Sequence, residues 1–199
     1  PGPDTVAFAI PGSPPFVIAP TGFLPEVHGG TTIDGTTQAG WVNHQPAVVI
    51  DGSLAGSNGI RCLYIFGSVC LIRGLRIQEY HGSGIYVAPI AGTGQSNRIE
   101  ACHLISNGYY GVEVSGASNN VIGGYAASNR NVMSGNTYSG VDLGNSSGNL
   151  VAGNWIGVSP TNSAVAVPGQ QSGVSIGTAA GNVISGSNAA PQVISGNGF

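Results

Sequence analysis

The feature that most constrains this chain is a repeat in its second half. The motif NVIGG at residues 120–124 returns as NVISG at residues 182–186. This interval divides into two unequal steps, because the Gly-Val pair at 111–112 returns at 140–141 and, after a slightly longer step, at 173–174. A recurring step of this length indicates a repeat architecture in which similar units stack on one another.

Asparagine residues keep the same pair of steps, since Asn120, Asn149 and Asn182 are spaced as the three Gly-Val pairs are. Each step holds short apolar runs with β-branched residues at period two, such as Val112 and Val114, and these runs are too short for helices. One unit cannot bury its apolar side chains alone, so the units must stack around one core. The pattern predicts an all-β fold, a parallel β-helix or β-solenoid of about seven coils with Gly and Asn at its corners.

The repeat divides the chain into two parts of one continuous domain. Residues 1–58 contain short strand candidates between Pro- and Gly-containing turns, and they are predicted to form an N-terminal cap and the first irregular coils. Residues 59–199 are predicted to form the regular coils. Residues 193–199 begin another cycle without a visible cap, so we expect either further coils of a longer chain or end-to-end stacking on another chain.

Composition narrows the function classes. Only 7% of the 199 residues are charged, against roughly a quarter in typical soluble domains, and all five basic residues are arginine. A net charge of −3 without a basic stripe argues against nucleic acid binding. No apolar run approaches the length of a membrane span. A surface of uncharged polar residues favours a secreted or cell-surface protein.

The three cysteines show no metal-ligand spacing. Cys62, Cys70 and Cys102 make an odd count, and in a solenoid such residues are expected to be small buried apolar side chains. A bridge between Cys62 and Cys70 is the alternative, but its geometry cannot be read from a sequence.

The strongest candidate for chemistry is a column of outward-facing side chains. The position after each Gly-Val or Gly-Ile pair points away from the core, and on successive coils it holds Tyr86, Glu113, Asp142 and Ser175. Neighbouring strands lie about 4.8 Å apart, so Glu113 and Asp142 are predicted to be direct neighbours. Such a pair can supply a catalytic acid and a base or nucleophile. Tyr86 and Ser175, with Tyr110, are candidates for contact with a sugar chain.

Other interpretations of the carboxylates remain open. Acidic residues are ordinary at exposed strand positions, so Glu113 and Asp142 can also be plain surface groups. The same two side chains are candidate ligands for calcium, which takes six to eight oxygens. No other metal site is predicted.

Motifs between residues 120 and 184 resemble the bacterial right-handed parallel β-helix repeat family. They read NVIGG, NVMSGN, SGVDL, GNLVAGNWIG, AVAVPG and SGVSI, and within that family they are similar to secreted proteins of the pectate-lyase-like superfamily. The resemblance implies a right-handed, single-stranded β-helix. It does not decide the function, because the superfamily includes polysaccharide lyases, glycoside hydrolases, epimerases, tailspikes and adhesins.

A second pair fits the lyase chemistry of that superfamily. The interval from Arg76 to His103 equals the interval from Gly84 to Gly111, so Arg76 and His103 are predicted to stack on another side of the solenoid. A lyase needs a base and a positive group to stabilise an enolate, which His103 and Arg76 can supply. The alternative is that both are solvated surface groups.

We therefore favour a secreted or cell-surface β-solenoid module with a structural or carbohydrate-contacting role, which is not itself an enzyme. The first alternative is a lyase, hydrolase or epimerase acting on polysaccharide through Glu113 and Asp142. The second is a self-assembling solenoid that stacks through its open C-terminal coil. The motifs typical of polygalacturonase-like hydrolases and alginate epimerases are missing, and so are lyase lysines.

Overall fold

The protein is described here by a computed structural model that covers residues 3–42, 44–90 and 92–198. This part of the chain consists of short strands and turns with two single turns of 3-10 helix, Gly35–Thr37 and Ala127–Asn129. In chain order the strands are β1 Thr5–Ala7, β2 Phe16–Ile18, β3 Thr32–Asp34, β4 Val48–Asp51, β5 Leu63–Ile65, β6 Leu71–Arg73, β7 Leu75–Gln78, β8 Ile85–Val87, β9 Arg98–Glu100, β10 His103–Ile105, β11 Tyr110–Ser115, β12 Val121–Gly123, β13 Val132–Ser134, β14 Ser139–Gly144, β15 Leu150–Ala152, β16 Trp155–Ile156, β17 Val158–Ser159, β18 Asn162–Ala166, β19 Ser172–Ile176, β20 Val183–Ser185 and β21 Val193–Ile194.

Most of these strands form three parallel sheets that run the length of the described structure. Sheet A has the order β1-β3-β6-β9-β12-β15-β20, sheet B the order β2-β4-β7-β10-β13-β16-β21, and sheet C the order β5-β8-β11-β14-β19. Successive strands of the chain enter different sheets, and each sheet adds a strand as the chain coils. This is a parallel β-helix, as the repeat predicts. It has about six turns, close to the predicted number of about seven.

The core is a set of apolar columns on the inner faces of the sheets. In sheet B the column consists of residues paired directly from coil to coil, namely Ile50, Ile77, Leu104, Met133, Ile156 and Ile194. In sheet C, Leu63, Ile85, Val112, Val141 and Val174 pair in the same way. Stacking like on like fills the interior, because each apolar side chain packs on its counterpart one coil away.

Buried asparagine ladders hold the corners of the coils, where the repeated asparagines of the sequence are found. The side-chain oxygen of Asn149 accepts hydrogen bonds from the backbone N–H and side-chain Nδ2 of Asn120, at 2.8 and 3.0 Å. Asn182 does the same for Asn149, at 2.8 and 3.1 Å. These bonds satisfy backbone groups that turn inward at a corner and would otherwise be buried without partners.

The less regular parts of the sequence are also ordered. Strands β1 and β2 pair in register with β3 and β4, so the N-terminal part of the chain contributes to sheets A and B. The longer step of the repeat contains an antiparallel β17–β18 ribbon. The three cysteines are buried and free, so Cys62 and Cys70 form no bridge. They take the expected place of small apolar side chains in the core.

The last turn leaves apolar side chains exposed. Ile176, Val183 and Ile194 are 48%, 49% and 45% exposed, whereas their counterparts one coil earlier are inside the core or partly covered. In the part of the chain that the structure describes, no helix is long and apolar enough to cross a membrane.

Candidate functional site

The outer side of sheet C carries a continuous column of polar and aromatic side chains. Tyr64 on β5 pairs with Tyr86 on β8, Tyr86 pairs with Glu113 on β11, Glu113 with Asp142 on β14, and Asp142 with Ser175 on β19. The sequence predicts this column from Tyr86 to Ser175, and the strand register agrees with it. We call this column, with the rings beside it, the sheet C face.

Alternation explains why these side chains point outward. Tyr86 lies between Ile85 and Val87, both of which are fully buried. Asp142 lies in the same way between Val141 and Leu143. Because successive side chains of a strand point to opposite faces, filling the core with these apolar residues forces the intervening residue onto the outer surface.

Glu113 is held by two neighbours across the coils. The Nε and Nη2 atoms of Arg61 donate to its two carboxylate oxygens at 2.8 and 3.0 Å, in a bidentate pair. The hydroxyl of Ser83 donates to the same carboxylate at 2.5 Å. Both charged side chains are largely covered, since Arg61 is 24% and Glu113 13% exposed. Planar bidentate geometry at a partly covered position fixes the Glu113 side chain and compensates its charge.

Asp142 lies in a different environment from its neighbour. Burial raises the pKa of this carboxyl, a hydrogen bond from Ser175 acts in the opposite direction, and the charge of Glu113 raises the pKa further. No ion pair joins Asp142 to a cation among the described residues. The two adjacent carboxylates are therefore not equivalent, because Glu113 is paired with Arg61, whereas Asp142 has no cation beside it among the described residues and its pKa is raised.

Aromatic rings form one end of the sheet C face. Tyr64 lies at the centre, with its ring centroid 6.1 Å from those of Phe23 and Phe66 and 5.9 Å from that of Tyr86. Phe23 is 70% exposed. The guanidinium carbon of Arg61 lies 4.2 Å from the centre of the Tyr86 ring, so the aromatic cluster is continuous with the Arg61–Glu113 pair.

A second group of rings lies beside the carboxylates. Tyr109, Tyr110 and Tyr138 are in mutual contact, with centroids 5.5 to 6.4 Å apart. Burial raises the pKa of Tyr110, and the nearby charges of Asp142 and Glu113 raise it further. This places Tyr110 next to the carboxylate pair, in the region where the sequence predicts it to contact a sugar.

Arg76 and His103 are direct neighbours in sheet B, as the shared interval predicts. The alternative of solvated surface groups is wrong for His103, which is only 5% exposed and whose Nε2 atom has no hydrogen-bond partner among the described residues. The backbone of His44 contacts His103, and the ring of His44 stacks on that of Trp155 with 6.2 Å between the centroids. His103 is therefore largely covered, and its role in lyase chemistry stays a prediction from the sequence.

The sequence suggests calcium as a metal that Glu113 and Asp142 could bind. Across residues 3–42, 44–90 and 92–198 no group of three or more His, Cys, Asp or Glu side chains is placed to hold a metal ion. Glu113 already gives both oxygens to Arg61, so Asp142 is the carboxylate of the pair with oxygens to offer. A calcium ion on this pair stays a prediction from the sequence.

The sequence did not reveal several residues of the sheet C face. Arg61 lies 52 residues from Glu113 and two coils away, so no repeat relates them. The interval from Tyr64 to Tyr86 is shorter than the steps that recur in the second half of the chain. The signal for Tyr64 is the pattern of one tyrosine between two apolar residues, which Leu63–Ile65 shares with Ile85–Val87.

Comparison with known proteins identified no relative of this chain. No protein-family model matches the chain, and neither a curated protein nor a solved structure matches it. The parallel β-helix is thus established by the strand pairing alone, and the geometry of the sheet C face is the basis for any statement about function.

Proposed function

We propose that the protein is a carbohydrate-contacting β-solenoid module that acts outside the cell or at its surface. The observation that carries this proposal is the aromatic end of the sheet C face, where Phe23, Tyr64, Phe66 and Tyr86 lie side by side and partly exposed. Rings of this kind offer flat apolar area at little conformational cost, next to polar groups that can hydrogen-bond.

The direction of the column suits an extended polymer. Strands of neighbouring coils are about 4.8 Å apart, and five outward positions from Tyr64 to Ser175 follow one another along the axis. A glycan lying along the solenoid would meet rings first and then hydroxyl and carboxylate groups. The likeness of residues 120–184 to the pectate-lyase-like superfamily agrees with this role, and membership of that superfamily is part of the proposal.

Replacement of Tyr86 by alanine tests the proposal. We expect Tyr86→Ala to weaken binding to the tightest-binding polysaccharide of a broad panel by about tenfold or more, because a central ring of an interface typically contributes over ~1 kcal/mol. Isothermal titration calorimetry measures the change. Tyr125→Ala is the matched control, since Tyr125 is 50% exposed but follows β12 in sheet A. Equal losses in both variants, or no binding by the wild type, would contradict the proposal.

A glycoside hydrolase is the second candidate function, and the unequal carboxylates are the observation in its favour. Asp142, with its raised pKa, would donate the proton to the leaving group, and Glu113 would be the nucleophile. Their separation of about one strand spacing is nearer to the ~5 Å of retaining enzymes than to the wider spacing of inverting ones. The bidentate pair with Arg61 restrains Glu113, which is why binding without turnover is our first proposal.

Turnover separates the two candidates. A hydrolase would release reducing ends from a bound polysaccharide, and both Asp142→Asn and Glu113→Gln would lower the rate by at least about a hundredfold. A module without activity would bind the same polysaccharide and release none. Binding of the Asp142→Asn variant, measured in parallel, shows whether a loss of turnover arises from chemistry or from affinity.

A further inference from the structure

Two adjacent carboxylates, Glu113 and Asp142, lie on the sheet C face. Arg61 is the one arginine that this face contains in the described part of the chain, and both of its bonds to Glu113 are made at 3.0 Å or less. The other arginines lie elsewhere. Arg73 and Arg98 pair with Asp34 and Glu100 in sheet A, Arg76 is in sheet B, and Arg130 lies over Trp155. The chain has no lysine.

An acidic sugar would therefore find no free cation among the described residues of this face. Arg61 and Glu113 compensate each other, and beside them lies the carboxylate of Asp142, which has no paired cation among the described residues. A uronate placed along the column would bring its carboxylate against Asp142 and compete with Glu113 for a guanidinium that is already doubly bonded. Both contacts are unfavourable, since like charges repel and a partly covered charge pair is costly to break.

We propose that the sheet C face binds neutral glycans and rejects uronate polymers, and that Glu113 is the residue that sets this preference. The inference rests on the proposed function, because it concerns which glycan the same face takes. Rings supply attraction that does not depend on sugar charge, whereas Glu113 removes the positive charge that an acidic sugar would need.

The test compares neutral and uronate oligosaccharides of equal length, at pH 8 so that histidines are neutral. The wild type is expected to bind the neutral series at least tenfold more tightly. In Glu113→Gln the amide keeps an oxygen for Arg61 but no longer cancels its charge, so affinity for uronates should rise by about tenfold, and the gain should shrink at high salt. Asp4→Asn is the control, because it makes the same change of net charge at an exposed position before β1.

The outcomes distinguish the inference from the function beneath it. Equal affinity of the wild type for both series, or no gain by Glu113→Gln, would overturn the charge selection while the glycan-binding function stands. Uronate binding that requires added calcium and is lost with a chelator would also overturn it, since the carboxylates would then bridge to the ligand through the cation. Failure of both series to bind would remove the proposed function itself.

Discussion

At the scale of single residues, His103 is an ionisable side chain whose charge is strongly constrained. It lies on β10 with Arg76 beside it in register and the backbone of His44 in contact with it. Burial lowers the pKa of His103 from 6.5 to about 4, and the charges of Arg76 and His44 lower it further. A hydrogen bond with the His44 backbone has the opposite effect and raises the pKa. The folded protein therefore keeps this imidazole neutral where an unfolded chain would protonate it.

Acid is thus expected to destabilise the protein through His103. Between pH 6.5 and about 4 the unfolded chain binds a proton that the folded chain does not, so the free energy of unfolding falls as the pH falls. The full effect is roughly 3 kcal/mol, and it is absent above about pH 7. Urea unfolding at pH 7, 5.5 and 4.5 measures it.

The variant His103→Gln should flatten this part of the pH profile, whatever its stability at neutral pH. His81→Gln is the control, because His81 is exposed in the turn after β7. An unchanged slope in His103→Gln would show that other groups cause the acid sensitivity.

At the scale of elements, the asparagine ladders connect the coils. The side chain of Asn131 accepts from the backbone N–H of Cys102 at 2.9 Å and donates to the carbonyl of Ile99 at 2.8 Å and to the oxygen of Asn154 at 3.0 Å. Asn131 is fully buried. Its removal leaves a donor and an acceptor of the backbone without partners in a place that water does not reach.

We expect Asn131→Ala to lower the free energy of unfolding by about 2–4 kcal/mol, because each unpaired buried group costs about 1–3 kcal/mol. Asn182→Ala is the matched comparison. Its side chain accepts from Asn149 at 2.8 Å and donates to Ser146 at 2.7 Å, but it lies in the last turn and is partly exposed, so water can replace it. Denaturant unfolding of both variants gives the costs, and equal values would contradict the role assigned to burial.

The elements also show what a sequence of this kind can predict. The columns of sheet C from Tyr86 onward could be predicted, because glycine and asparagine mark every coil of that region at recurring intervals. Pairing of Arg61 with Glu113 could not, since it joins side chains on coils two apart. The contact of His44 with His103 was also missed, because His44 lies in an irregular stretch and its ring stacks on Trp155, several coils further along the chain.

At the scale of the whole molecule, the exposed last turn bears on assembly. Ile184 and Ile194 end two core columns and are 38% and 45% exposed. Exposed apolar side chains on an open strand edge favour the addition of another β-coil. The sequence predicts either further coils of a longer chain on this turn or the stacking of a second copy of the chain, and both stay proposals.

If this stacking occurs, sedimentation velocity should show association that grows with protein concentration, and Ile184→Lys should abolish it by placing a charge on the contact. Leu54→Lys is the control, because Leu54 is 61% exposed in the turn after β4 and away from the last turn. A wild-type protein that sediments as a monomer at every concentration would exclude this mode of assembly.

The proposed function requires the sheet C face to be the surface that meets a glycan. Hydroxyl-radical footprinting, read by mass spectrometry with and without a saturating neutral glycan, tests this most directly because it reports side-chain exposure residue by residue. We predict lower oxidation of Tyr64, Phe66 and Tyr86 in the presence of the glycan, with Tyr125 of sheet A unchanged. Unchanged oxidation of these three rings, together with protection elsewhere on the solenoid, would contradict the account.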